Sequence, residues 1–361
     1  VSLEFAVHPN EAPAPVQARE EVLANPVFGR AFTDHMVTVD WTVEDGWHDA
    51  RLTAYAPALM DPAAVVLHYG QSVFEGLKAF RQDDGSIAMF RPDRNAARMA
   101  QSAHRLALPE FPEDAFVEAC DLLVRTDRDW VPAGEGTSLY LRPFTWATEI
   151  GLGVRPSQTA RFQLIASPSG RYFSGPMRAV SLWLSQDYTR AAPGGTGAAK
   201  CGGNYAASLL AQQEAIANGC DQVVFLDAVE HRWVEELGGM NVFLVFEDGS
   251  LATPDLNGSI LEGITRDSII TLAREQGRRV EERKIDIDEW RKGALDGSVV
   301  EVFACGTAAA VTPIGALRSP GQEVVAGDGQ PGPVTLSLRS ALTDLQYGHA
   351  PDPHGWLHRV A

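Results

Sequence analysis

Lysine is scarce in this chain: Lys78, Lys200, Lys284 and Lys292 are the only four among 361 residues. Lys284 and Lys292 stand in "EERKID" and "DEWRKG", where charge on both sides describes solvated surface cations. Lys200 stands in "GGTGAAKCGGNYAASLLAQQEA", residues 194–215, with no carboxylate until Glu214. A lysine in small, uncharged surroundings has a lowered pKa when partly buried, and so holds neutral amine. Neutral amine is the nucleophile for a carbonyl. Two chemistries follow: a Schiff base with a substrate, or a Schiff base with pyridoxal 5'-phosphate.

The second chemistry needs a carboxylate for the pyridine nitrogen, a donor near the ring oxygen and a cup of backbone N–H groups for the phosphate. Tyr205 lies five residues past Lys200 and can serve the ring oxygen. Glu236, in "VEELGGMN", precedes two glycines that admit a flat ring close to the backbone. "LEGITR" and "CGTAA" each set glycine and threonine close together, where N–H groups and a hydroxyl can converge on an anion. Each feature alone also has a plain reading, as an ordinary turn or a surface glutamate.

The elements that must position these residues follow from pattern. Residues 1–25, rich in Pro, Ala and Glu, read as a loosely attached arm. "FRQDDGS" running into "AMFRPDRN" reads as a hairpin on an Asp-Gly turn that ends near Phe90. Asp93 is expected to cap a helix through "NAARMAQSAHRL", with Arg94, Arg98 and Arg105 near helical spacing. A second helix over "EDAFVEACDLLVRTDRDWV" has Phe116, Cys120, Leu123 and Val124 on one stripe and is expected to stop at Pro132. "TSLYLRPFTW", "RFQLIASP", "AVSLWLS" and "QVVFLD" read as strands, and "MNVFLVFEDGSLATP" as another Asp-Gly hairpin. Helices are expected after Lys200, ending at Gly219, and over "GITRDSIITLAREQG". "VVEVFACGTAAAV" reads as a buried strand entering a tight turn. Strands and helices mix without strict alternation, so an α+β or irregular α/β architecture is expected. The boundaries expected are an arm at 1–25, a smaller domain at 26–170, a connection at 171–182 centred near residue 176, and a larger domain at 183–361.

Composition narrows the class. With 45% hydrophobic residues the chain is too apolar for disorder and long enough for two cores. A net charge of −17 argues against nucleic-acid binding, which needs a basic face, and favours small-molecule partners. No apolar run of membrane-spanning length occurs, and the first residues lack a basic start followed by an apolar core, so the expectation is a cytoplasmic protein away from membranes. Cys120, Cys201, Cys220 and Cys305 are scattered, without a C-x-x-C pair or a histidine cluster at ligand spacing. They read as reduced thiols, with no metal site and no disulfide framework.

"FTDHM", "LHYGQSVFEGLKAF", "FRPDRNAARM", "YLRP", "KCGGNYAAS", "EELGGMNVF", "LEGITRDSI" and "ACGTAAAV" occur in an order and spacing that resembles the branched-chain amino-acid aminotransferases, which are fold-type-IV pyridoxal-phosphate enzymes. The resemblance spans roughly residues 26–348 and implies two domains, a smaller N-terminal α/β domain and a larger C-terminal pseudo-barrel. It implies that Lys200 carries the cofactor as a Schiff base, which explains a lysine with no carboxylate in its own segment. By the same resemblance Lys200 also moves the substrate proton, Tyr205 meets the ring oxygen, and Glu236 keeps the pyridine nitrogen protonated. Arg98 meets the phosphate, with Ile264, Thr265 and Thr307 closing the cup and Asn241 and Gly263 in the same set. Phe28, Tyr69, Phe74, Tyr140 and Tyr172 match the side-chain pocket, and Arg142 matches the arginine that meets the distal carboxylate of glutamate. Thr307 and Ala308 receive the α-carboxylate. "GLGV", residues 151–154, resembles a loop that reaches a neighbouring subunit's pocket, so Leu152 and Val154 imply a homodimer with shared sites.

The implied activity is ping-pong exchange of the amino group between L-leucine, L-isoleucine or L-valine and 2-oxoglutarate. D-amino-acid aminotransferases and aminodeoxychorismate lyases share the lysine and the glutamate, and a non-catalytic carrier of the vitamin is the alternative from outside enzymology. Two departures stand out. Gly239 occupies a place where many relatives have threonine, and Ala309 and Thr312 occupy the places of a redox-sensing C-x-x-C found in some relatives, so no thiol switch is expected there.

Overall fold

The computed structural model describes residues 3–170 and 178–360, and the chain divides into two compact units. The first takes in Val1–Tyr172, Ala199–Gly202 and Leu345–Ala361; the second takes in Phe173–Ala198 and Gly203–Asp344. Two short pieces that the sequence reading assigned to the C-terminal domain, the lysine segment and the C-terminus, thus pack with the first unit. Tyr172 and the first part of the expected connection, residues 171–177, lie outside the described residues.

The first unit is built on a nine-stranded sheet. Its strands are β1 (Ala6–Val7), β2 (His35–Thr42), β3 (Gly46–Ala54), β4 (Ser72–Phe74), β5 (Leu77–Arg81), β6 (Ile87–Phe90), β7 (Ser138–Ala147), β8 (Thr159–Ser169) and, from the C-terminus, β17 (Leu357–Arg359). The order is β1-β3-β2-β8-β7-β5-β6-β17, with β4 also paired to β7. The expected hairpin is β5 with β6, antiparallel through Ala79↔Met89, and Gly85 takes the positive φ its turn requires. The sheet's core includes Val37, Leu52, Leu77, Met89, Leu139 and Phe162.

Helix α1 (Val16–Ala24) follows β1, α2 (Val65–Tyr69) precedes β4, and α3 (Pro92–Arg105) and α4 (Glu113–Thr126) lie between β6 and β7. Helix α3 starts two residues earlier than expected. Arg91 at φ 51 is its N-cap and Pro92 its first residue, so Asp93 sits within the first turn. Helix α4 buries Phe116, Cys120, Leu123 and Val124 as its period predicts, but ends before Pro132. Asp127 draws its carboxylate to His35, accepting from the backbone N–H at 3.0 Å and contacting Nδ1 at 2.6 Å. A single 3-10 turn, Arg128–Trp130, then leads to the proline.

The N-terminal arm is seated rather than loose. Strand β1 runs parallel to β3, Leu3 is buried, Asn10 N–H donates to His35 Nε2 at 2.9 Å, and Ala14 N–H donates to Asp34 Oδ1 at 2.8 Å. Backbone groups left at a sheet edge gain partners this way, which local composition does not reveal.

The second unit is built on an eight-stranded sheet in the order β10-β9-β15-β14-β11-β12-β13, with β16 on β15. These are β9 (Val180–Leu184), β10 (Gln222–Val224), β11 (Asn241–Phe246), β12 (Leu251–Thr253), β13 (Val280–Glu282), β14 (Val299–Gly306), β15 (Ala310–Ser319) and β16 (Gln322–Val324). β11 and β12 form the second expected Asp-Gly hairpin, with Gly249 at positive φ. β11 reads "NVFLVF" and is buried almost throughout, as a central strand must be. Helices α5 (Gly202–Ala217), α6 (Ile264–Glu275), α7 (Ile287–Asp296) and α8 (Pro333–Tyr347) complete the set. α7 is capped by Asp286, whose carboxylate accepts the Asp288 N–H.

Candidate active site

Lys200 lies just before α5, and its segment is sewn to the first unit. Its backbone N–H donates to Ser102 Oγ at 2.9 Å, its carbonyl accepts the Phe74 N–H at 3.0 Å, and Cys201 bridges to Val73. Its ammonium nitrogen stands 4.9 Å from the centre of the Phe74 ring. Burial pushes its pKa down to about 8, helped by Arg98 and Arg142 and opposed by Glu75 and Tyr140.

Helix α3 supplies the surroundings. Asn95, Arg98 and Ser102 recur at helical spacing and are all buried, whereas Arg94 and Arg105 are exposed. Arg98 Nε and Nη2 donate to the two oxygens of Glu75 at 2.7 and 2.9 Å, a fork-to-fork pair. Asn95 Nδ2 donates to Glu75 Oε2 at 2.7 Å. Glu75 is fully buried, and burial alone would raise its pKa; Arg98, Lys200 and Asn95 instead hold it below the ordinary carboxylate range. Glu75 is therefore the anion that Lys200 lacks in its own segment, and it arrives from the β4–β5 connection.

The aromatic set sits beside these charges. Arg142 Nη2 donates to Tyr140 Oη at 3.0 Å, and its guanidinium lies 4.8 Å from the Phe74 ring centre and 5.3 Å from that of Tyr140. Alternation along β7 puts Tyr140 and Arg142 on one face. Phe28 meets Tyr140 edge-on with centroids 4.8 Å apart. Gly76 makes room for that ring: a Cβ there would fall 1.9 Å from Tyr140 Oη. Tyr69 is exposed and its hydroxyl donates to the Leu152 carbonyl, while Leu152 and Val154 project as an apolar loop.

In the second unit Glu236 is 2% exposed, and its Oε2 is 2.6 Å from Arg190 Nη2. Arg190 is buried too, and the same nitrogen donates to the carbonyls of Ser259 and Gly197. Asn241 Nδ2 donates to the Leu261 carbonyl at 3.2 Å and, at 3.4 Å, to Glu236 Oε1. Asn241 also explains Gly263, the N-cap of α6, since a Cβ there would fall 2.0 Å from Asn241 Oδ1. Ile264 and Thr265 open α6, so their N–H groups are among those no helical carbonyl can satisfy. Gly239 faces Tyr205, and a Cβ at this position would lie 3.2 Å from Tyr205 Cε1, which leaves little room for a larger side chain such as threonine. Thr307 and Ala308 lie in the turn between β14 and β15.

Glu75, Ser102 and Arg190 carry no role in the sequence reading. Glu75 did leave a signal, a lone acid inside the apolar strand run "SVFEGLKAF". Arg190 left none, since its partner is 46 residues away. Among the described residues no group of three or more His, Cys, Asp or Glu could hold a metal ion, and the four cysteines are buried thiols.

A half-buried lysine of lowered pKa backed by an arginine, a buried glutamate fixed by a second arginine, and a glycine-led helix N-terminus are groups that fit pyridoxal 5'-phosphate, an aldehyde with a basic ring nitrogen and an anionic phosphate. The class IV amino-transferase profile matches residues 72–317, and the chain belongs to that family. It is 58% identical to the branched-chain-amino-acid aminotransferase of Mycolicibacterium smegmatis over 99% of this chain and 98% of that one. It is 47% identical to branched-chain-amino-acid transaminase 1 of Bacillus subtilis, over 92% and 94%. Among solved structures, the Escherichia coli branched-chain amino acid aminotransferase superposes with a TM-score of 0.75 at 31% identity, covering 90% of this chain and 99% of that one. The branched-chain amino acid aminotransferase from Thermobaculum terrenum, solved in its PLP-form, gives 0.71 at 28% identity, covering 90% and 98%.

Proposed function

We propose that this chain transfers the amino group of L-leucine, L-isoleucine and L-valine to 2-oxoglutarate with pyridoxal 5'-phosphate as cofactor. The reading rests above all on Lys200, whose amine titrates near 8 between Arg98 and Glu75. The cofactor, when bound, supplies the carbonyl for an amine and a ring that withdraws electrons from the substrate's α-carbon. Lys200 Nζ takes the proton from that carbon and returns one, work worth about 10²–10⁴-fold in rate. Glu236 holds a proton on the pyridine nitrogen, and Tyr205 donates to the ring oxygen. Arg98, Thr307 and the N-terminus of α6 at Gly263, Ile264 and Thr265 bind the phosphate, and Asn241 keeps that helix start and Glu236 in place.

Phe28, Tyr69, Phe74 and Tyr140 line the side-chain pocket, which rewards each methylene by about 0.8 kcal/mol and leaves a charged chain unpaired. Tyr172 belongs to the same set by resemblance. Arg142, whose Nε is buried without a hydrogen-bond partner, meets the distal carboxylate when glutamate binds. Thr307 and Ala308 receive the α-carboxylate of every substrate. The protein works as a homodimer in the cytoplasm, with Leu152 and Val154 serving the neighbouring subunit's site.

Replacing Lys200 by Ala should abolish transamination of L-leucine with 2-oxoglutarate while cofactor still binds noncovalently. Borohydride reduction of the wild type should fix the cofactor to the peptide containing Lys200. Turnover in the variant above a hundredth of wild type would contradict the assignment, and a preference for D-alanine or aminodeoxychorismate over the branched L-amino acids would replace the proposed substrates.

A further inference from the structure

The turn of residues 307–309 joins β14 to β15, with Gly306 paired to Ala310. The first residue after this turn stands in the left-handed region, a place that suits glycine. Here the residue is Ala310, at φ 54. A strained residue persists when its surroundings over-determine it, and the surroundings here come from α8. Arg339 Nη1 donates to the Val311 carbonyl at 2.6 Å and more weakly to that of Ala309 at 3.4 Å, gripping the backbone on both sides of Ala310.

The position of Arg339 is itself fixed by the strand leading into the turn. Glu301, in β14, accepts the N–H groups of Val334 and Thr335 at 3.0 and 2.8 Å and the Thr335 hydroxyl at 2.7 Å. It caps the start of α8 from outside with a negative charge. Gly332 allows this approach, because a Cβ there would fall 2.0 Å from Glu301 Cδ. One end of α8 is thus tied to β14, and a residue about one turn further on holds the turn that β14 enters.

We propose that Arg339 is a positioning residue for substrate carboxylate binding: it braces the turn of Thr307 and Ala308 through the carbonyls flanking Ala310. The inference rests on the proposed function, in which that turn receives the α-carboxylate. Its cation lies against the same turn, which also favours an anion there. Both leucine and 2-oxoglutarate carry that carboxylate, so loss of the brace raises KM for both while kcat changes less.

Calorimetric titration of the holoenzyme with 4-methylvaleric acid and with its neutral amide tests this apart from turnover. Arg339→Met should weaken the acid by about tenfold and leave the amide unchanged. Arg339→Gln, which keeps one donor without the charge, should fall between. Adding Ala310→Gly to Arg339→Met should restore part of the acid binding, because glycine adopts positive φ without a brace while the lost charge is not replaced. Undiminished acid binding in both single variants, an equal loss of acid and amide, or failure of the glycine to restore binding would overturn the role of Arg339. A wild type that discriminates leucine from D-alanine yet shows no preference for acid over amide would overturn the inference as well. A wild type that neither binds the acid nor converts leucine would instead overturn the function beneath it.

Discussion

At Lys200 the balance of local charges decides how much reactive amine exists. An ordinary lysine amine near 10.5 is almost wholly protonated at pH 7, whereas one at about 8 leaves roughly one amine in ten neutral. The folded amine loses its proton near pH 8 and the unfolded one near 10.5. Between those values the unfolded chain binds more protons, so this group's contribution to stability rises with pH across that window. Glu75 opposes the fall in pKa, and Arg98 promotes it. Glu75→Gln removes the opposing charge and leaves Arg98, so the midpoint of Lys200 modification in cofactor-free protein should move below 8. Mass spectrometry after timed acylation across pH measures it, and an upward shift would contradict the electrostatic role of Glu75. The same substitution should weaken cofactor retention, since Arg98 loses the fork that orients it.

Helix α3 is unusual in turning polar side chains inward. Ser102, at 1% exposure, accepts the Lys200 N–H and donates to the Arg98 carbonyl, so one hydroxyl ties the helix to the lysine segment. Ser102→Ala leaves that N–H without its partner and should cost about 1–3 kcal/mol, read as a lower urea midpoint of the cofactor-free protein. An unchanged midpoint would mean that water or a shifted backbone replaces the bond. This element also marks what the amino-acid order does and does not disclose. The Asp-Gly hairpins β5–β6 and β11–β12 were legible because turn chemistry is local, and the buried stripe of α4 because its period is local. Ser102 with Lys200, Glu75 with Arg98 and Arg190 with Glu236 were not, because those partners lie 98, 23 and 46 residues apart and meet only after the sheets form. The end of α4 was misplaced for the same reason, as Asp127 answers to His35 rather than to Pro132.

Across the molecule, two groups of exposed apolar side chains stand close together in sequence on a chain of net charge −17. Leu209, Leu210 and Ile216 project from α5, and Leu152 and Val154, at 68% and 82% exposure, project from the loop after β7. The proposed homodimer would bury both. If the loop serves the other subunit's site, a defect there and a defect at the lysine should complement each other. In a mixed dimer of Lys200→Ala with Leu152→Asp, one site combines an intact lysine with an intact loop, and the other combines both defects. Random mixing makes half the dimers mixed, so co-refolding equal amounts of the two inactive variants should restore about a quarter of the wild-type leucine turnover. Each variant refolded alone should stay inactive, and sedimentation should show dimers throughout. Failure of the mixed sample to exceed the separate ones, with mixed dimers verified by differential tags, would mean that Leu152 acts within its own subunit.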